Sequence, residues 1–226
     1  FALPGDQYSS KFLLSWTMLF NYCVNHNINP LVTNHNLENI YYTRNACMGG
    51  NNVSGIEQKP FGGEINYDFV MWIDPNMVFS VENFTKLLAH DVDIIGGIYL
   101  KDAGKHFNTC RKLDNNFFVR NGHFEYFAGE ELLKRRENKD EPVLDVDFTG
   151  MGWMLVKRGV FEKMSYPWFK PEYFEIKTID GSNNENTIRE FTSDEVGFCM
   201  TAKNLGFTVK VDTDVVVGIE KPIVVA

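Results

Sequence analysis

The chain has 226 residues, 44% hydrophobic and 23% charged, with a net charge of -8. These are the proportions of a globular protein with room for one full domain and a large core. The acidic balance argues against a broad nucleic-acid surface, and no apolar run reaches the length of a membrane span. Phe1-Ala2-Leu3-Pro4 reads as the tail of a first strand, followed by a Gly5-Asp6 turn. A helix is expected from about Ser9 to His26, with Phe12, Leu13, Trp16, Leu19, Phe20, Cys23 and Val24 on one apolar face. A short strand from Pro30 to Thr33 follows, then a helix from Leu37 to Met48 that Gly49-Gly50 stops. A Gly- and Asn-rich loop leads to a strand at 67–74. Ser80 caps a helix over Val81 to His90, and Asp93 to Leu100 is another buried strand.

Strands and helices alternate up to this point, which predicts a mostly parallel sheet flanked by helices. The second half is expected to be mixed. Asn116–Arg120 and His123–Phe127, separated by Asn121-Gly122, have the pattern of a hairpin. Glu130 to Glu141 reads as a solvated helix or lid. Val143 to Val156 contains a strand with a glycine break, Thr192 to Asn204 a helix, and Phe207 to Val217 a last strand. No linker divides the chain, so one domain is expected, with a first half over 1–100 and a second over 101–226. Cys23, Cys47, Cys110 and Cys199 are scattered without a C-x-x-C pair, which points away from a zinc knuckle and toward buried thiols in a reducing compartment. In that compartment the glycosylation patterns at Asn52 and Asn83 would be silent. The chain opens on Phe1 rather than Met, as a trimmed segment would, and shows no signal peptide.

The most informative stretch is Tyr67-Asp68-Phe69-Val70-Met71-Trp72-Ile73-Asp74-Pro75-Asn76. An apolar run rich in β-branched and aromatic residues is a buried strand, and its abrupt end places a carboxylate where open α/β sheets bind ligands. The bland alternative is a turn, which Asp, Pro and Asn all favour. No G-x-G-x-x-G follows the first strand and no G-x-x-x-x-G-K-[ST] exists, so neither a Rossmann dinucleotide site nor a P-loop is supported. The five histidines show no metal-ligand spacing.

Taken in order, several segments resemble the GT-A fold nucleotide-sugar glycosyltransferases, closest to inverting, family-2-like enzymes, including forms carried by phages and large viruses. They are Leu3-Pro4-Gly5, Thr43-Arg44-Asn45, Met71 to Asn76, Phe148 to Val156, Ser193 to Cys199 and Val217-Gly218-Ile219-Glu220-Lys221. The resemblance covers nearly the whole chain. It implies a nucleotide-binding first half, an acceptor-side second half and transfer of a sugar from a nucleotide-diphosphate donor to a carbohydrate or glycan acceptor hydroxyl. A viral origin would place the protein in the host cytoplasm.

The family pattern at the strand end is Asp-x-Asp. Side chains two apart on an extended chain point the same way, and two carboxylates so placed can hold Mn²⁺ or Mg²⁺ against the donor diphosphate. Here Asn76 stands for the second Asp, and Ile219 stands where the family often has a further histidine ligand. The implied metal ligands reduce to Asp74 and Asn76, which points to weaker or metal-independent binding, or to a catalytically degenerate relative. In Asp194-Glu195, Glu195 aligns with the general base that takes the acceptor proton, and Asp194 is the alternative. Thr192-x-x-Glu195 also reads as a capping box, which needs no catalysis. Pro4, Asp6, Arg44 and Asn45 would lie near the nucleotide or its diphosphate, arginine being suited to paired bonds with phosphate. A surface arginine at a helix end and a turn aspartate are their plain alternatives. Gly150 and Gly152 would bring backbone close to sugar or acceptor, and Trp153 would be either a sugar platform or a core residue. A nucleotidyltransferase is disfavoured, because Leu3-Pro4-Gly5-Asp6-Gln7 lacks a basic, Gly-rich loop.

Overall fold

The computed structural model describes residues 1–101, 105–179 and 185–221. The first half alternates as expected: β1 (Ala2–Pro4), α1 (Ser10–Asn25), β2 (Thr33–His35), α2 (Ile40–Cys47), β3 (Phe69–Ile73), β4 (Met77–Val78), α3 (Val81–Ala89) and β5 (Ile94–Ile98). The helices begin at side-chain caps: Ser9 accepts from the Phe12 amide, Asn39 from Tyr41, and Ser80 from Asn83. The second half continues with β6 (Thr109–Cys110), α4 (Asn115–Asn121), α5 (Gly129–Asn138), β7 (Val143–Asp145), β8 (Phe148–Thr149), β9 (Trp153–Lys157) and α6 (Val160–Lys163). It ends with β10 (Tyr173–Ile179), β11 (Glu185–Phe191), α7 (Asp194–Asn204), β12 (Val209–Val216) and β13 (Gly218–Ile219).

Seven strands form the central sheet in the order β2-β1-β3-β9-β5-β12-β7. The pairings make β2, β1, β3, β5 and β12 run one way, while β9 and β7 oppose them. The architecture is therefore mixed α/β with a large, mostly parallel sheet. β9, from the second half, is inserted antiparallel between β3 and β5. Alternation along β3 sends Val70 and Trp72 into the core toward α2 and α7, and Met71 and Ile73 into the core toward α1 and α3. Both sheet faces are thus covered. Cys23 packs in the second of these cores and Cys199 in the first, and all four thiols are free and buried.

Several expectations are corrected. β2 begins three residues later than predicted, because its ladder runs Ala2–Thr33, Leu3–Asn34, Pro4–His35, leaving Leu31 and Val32 exposed. On α1, Leu13 and Val24 face outward, while Ser15 is buried and accepts from the Phe79 amide at 3.2 Å. The predicted hairpin over 116–127 is not one. Asp114 caps a helix by accepting from the Asn116 and Phe117 amides, and Gly122 closes it at φ 72°. A glycine at positive φ serves a helix C-cap as well as a hairpin turn, so Asn121-Gly122 did not discriminate. The true hairpin is β10–β11, where Phe174 and Ile176 are buried and Phe174 meets Phe118 and Phe124. Asp114→Ala should cost about 1 kcal/mol in urea unfolding, the usual worth of an N-cap. No measurable change would argue against a helix at 115–121.

Candidate functional site

The site is assembled at the carboxyl rim of the sheet. β3 delivers Asp74, whose amide donates to the Gly152 carbonyl at 3.0 Å and whose carbonyl accepts from the Met77 amide at 3.1 Å. The segment is thus also the turn between β3 and β4, so the bland and the functional roles coexist. The Asp74 side chain keeps 26% exposure.

Arg44 lies on the inner face of α2 and is 3% exposed. Its guanidinium sits 5.4 Å from the Trp72 ring centre. Nε donates to Asp194 Oδ2, and Nη2 donates to Asp74 Oδ1 at 3.1 Å. Nη1 is buried without a hydrogen-bond partner. Arg44 therefore joins the strand-end aspartate to the first residue of α7.

The neighbouring acids are set apart electrically. Burial alone would raise the Asp194 carboxyl, but Arg44 beside it and a hydrogen bond from Glu195 outweigh that and hold it low. Burial, followed by the adjacent Asp194 charge, pushes Glu195 up to about 8. A carboxylate pair split this way has one ionised member and one proton carrier near neutral pH. The capping-box alternative for Glu195 is overturned. Ser193 is the N-cap residue, no side chain caps α7, and the Thr192 hydroxyl accepts instead from the Glu172 amide at 3.0 Å.

Beside Asp74 lies a pocket of about 420 Å³, lined in part by Pro4, Gly5, Thr43, Asp74 and Asn76. Its wall is tight. Gly5 stands at φ +119°, and a Cβ there would come within 3.0 Å of the Pro75 ring. Asn34 fixes this wall by donating to the carbonyls of Leu3 and Gly5. A larger cavity of about 620 Å³, bounded by Phe1, Leu31, Phe69 and Leu88, lies at the amino ends of β1 and β3 and contains none of these acids. The carboxyl rim is where such sheets bind ligands.

Tyr99, just past β5, is a rim residue the sequence reading did not single out. Its hydroxyl accepts from the Gly152 amide at 3.0 Å and from Asn108 at 3.1 Å. Burial, then the charges of Asp74 and Glu195, push its phenol up. The signal was available: like Asp74, it is a polar group at the carboxyl end of an apolar strand. Gly150 and Gly152 are explained by this neighbour. A Cβ on Gly150 would fall 2.0 Å from the Tyr99 hydroxyl, and one on Gly152 2.4 Å from the Met77 methyl, 3.0 Å from the Tyr99 hydroxyl and 3.1 Å from Asp74 Oδ2.

Other predicted site residues have different work. Trp153 is fully buried and lies 4.5 Å from the Phe79 ring, so the sugar-platform role is corrected to a core role. Asn45 is buried, and its amide group bonds both the carbonyl (2.6 Å) and the amide (3.2 Å) of Phe169, leaving it a clamp rather than a nucleotide contact. Asp6 is exposed beside Gly5. As to a metal, Asp74 already faces Arg44, Asn76 brings no charge, and Ile219 pairs with Met77. Among the described residues no group of three or more His, Cys, Asp or Glu could hold an ion. The protein side chains do not fit a built divalent-cation site.

No protein-family model matches the chain, and no curated protein matches it. Among solved structures it is similar to A197 from STIV, with a TM-score of 0.51, 13% sequence identity, and coverage of 100% of this chain and 95% of that one. At that identity the likeness concerns the fold. No described helix is long and apolar enough to cross a membrane.

Arg44→Met should destabilise the protein by about 3–5 kcal/mol at pH 7, because it strands buried carboxylate charge. Asp194 titrates low in the native protein, so its pairing contributes above the ordinary carboxylate range and fades as pH falls through its folded value. The gap between wild type and variant should accordingly narrow in urea melts as pH is taken below the ordinary carboxylate value of about 4; a gap that stays equal to that at pH 7 would refute the ion-pair account. Gly150→Ala should cost roughly 1–3 kcal/mol in urea unfolding by overpacking, since its Cβ would meet both the Tyr99 hydroxyl (2.0 Å) and Asn108 Nδ2 (2.2 Å).

Proposed function

We propose that this chain is a GT-A-type glycosyltransferase that moves a sugar from a nucleoside-diphosphate donor to an acceptor hydroxyl with inversion. One observation carries the proposal: Arg44 gathers Asp74 and the Asp194-Glu195 pair at the carboxyl rim, next to a pocket walled by Pro4 and Asn76. The resemblance in sequence motifs and the fold similarity support it. In this scheme the nucleotide lies in the pocket, and the acceptor approaches from the side where α7 begins.

The chemistry follows from the two acids. Glu195 in its ionised form takes the proton of the acceptor hydroxyl as that oxygen attacks the anomeric carbon. The bond from the anomeric carbon to the diphosphate oxygen breaks, and the nucleoside diphosphate leaves with the electron pair. Asp194 stays ionised under Arg44, and its charge makes Glu195 a stronger base. Arg44 acts by positioning these groups. The backbone at Gly150 and Gly152 borders the reacting sugar, as its closeness to Asp74 suggests. A degenerate carbohydrate- or nucleotide-binding protein is the second reading, favoured by the sparse metal ligands at Asp74 and Asn76.

A screen of nucleotide sugars for transfer or hydrolysis tests both. In wild type, kcat/KM should rise as pH increases through about 8, because Glu195 carries its proton below that value. Glu195→Gln should lose about 10²–10⁴-fold with little change in donor binding, the usual worth of a general base. Binding without turnover of any nucleotide sugar would favour the second reading, and full activity in Glu195→Gln would remove the base assignment.

A further inference from the structure

The rim carries positive charge that the proposed chemistry does not use. β13 pairs with β4, Gly218 against Val78 and Ile219 against Met77, and the Glu220 amide donates to the Asn76 carbonyl at 2.8 Å. Residues 218–221 are thereby laid along the Asp74-Pro75-Asn76 turn. Successive side chains of an extended segment point to opposite sides. Glu220 turns to the start of α1, where it accepts from Ser9 and pairs with Lys11 at 3.4 Å. Lys221 goes the other way, and its Nζ donates to the Lys101 carbonyl, just beyond Tyr99 at the end of β5. Lys221 is exposed, and it follows directly on the Glu220 amide that is bonded to the Asn76 carbonyl.

The Arg44 group offers a diphosphate no net positive charge. One arginine faces two aspartates, so the group is net negative when both are ionised. Two nitrogens of Arg44 are already directed at carboxylates. The residues that a divalent ion would use are an ion-paired Asp74, a neutral Asn76 and an apolar Ile219. A diphosphate bound here still needs a cation, and the ammonium of Lys221 carries three donors, one of them directed at the Lys101 carbonyl.

We propose that Lys221 supplies the charge that holds the donor's diphosphate where a divalent ion would otherwise be needed, making donor binding metal-independent. The inference rests on the donor-binding proposal above and names the cation of that same site. Calorimetric titration tests it with UDP, GDP, ADP and CDP, each in EDTA and in Mn²⁺, on wild type, Lys221→Gln and Lys11→Gln, with thermal melts to verify folding. The diphosphate that binds should do so with the same Kd in EDTA and Mn²⁺. Lys221→Gln should weaken it by about tenfold or more, the scale of one charge-assisted hydrogen bond, while Lys11→Gln leaves it unchanged. The matching nucleoside, lacking phosphates, should bind wild type and Lys221→Gln alike. Binding that appears only with Mn²⁺, or a Lys221→Gln variant with wild-type affinity, overturns the Lys221 role and leaves the donor proposal standing. No binding of any nucleoside diphosphate in either condition removes both.

Discussion

The rim depends on one buried guanidinium. A charge at the depth of Arg44 persists only with counter-charges in contact, and it finds them in Asp74 and Asp194, 30 and 150 residues away along the chain. That requirement ties the end of β3 to the start of α7. It also shapes the electrostatics: Arg44 keeps Asp194 ionised, and burial together with the Asp194 charge favours the proton on Glu195. The split between the two carboxyls thus combines burial with the way a cation is accommodated beside them.

Sterics complete what charge begins. Gly150 and Gly152 leave the space that the Tyr99 hydroxyl and the Asp74 carboxylate occupy, and Gly5 leaves room for Pro75. The outcome is a floor of interlocked buried groups with exposed side chains above it. Such a floor holds its geometry before any ligand arrives, which is what directional chemistry at a surface site requires.

The first half was legible because its signals are local. The apolar run ending in Asp74 is a strand by composition alone, and the helix starts at Ser9 and Ser80 are side-chain caps. The Arg44–Asp194 contact has no local signature, since periodicity reports a face but not its partner. Asn45 read as part of the Thr43-Arg44-Asn45 motif, yet its amide is used on the Phe169 backbone. Thr192 matched a capping pattern, but the return of β11 toward Glu172 took its hydroxyl first. Asn121-Gly122 failed for a different reason: the same backbone conformation closes helices and hairpins.

The position of β9 has a consequence for how the protein comes into being. β3 and β5 are neighbours only through it, and it arrives from residues 153–157. Until that stretch leaves the ribosome, the two most apolar strands have bare edges and nothing to bridge them. Synthesis runs amino end first, so more than half the polypeptide must wait, exposed, before the sheet can close.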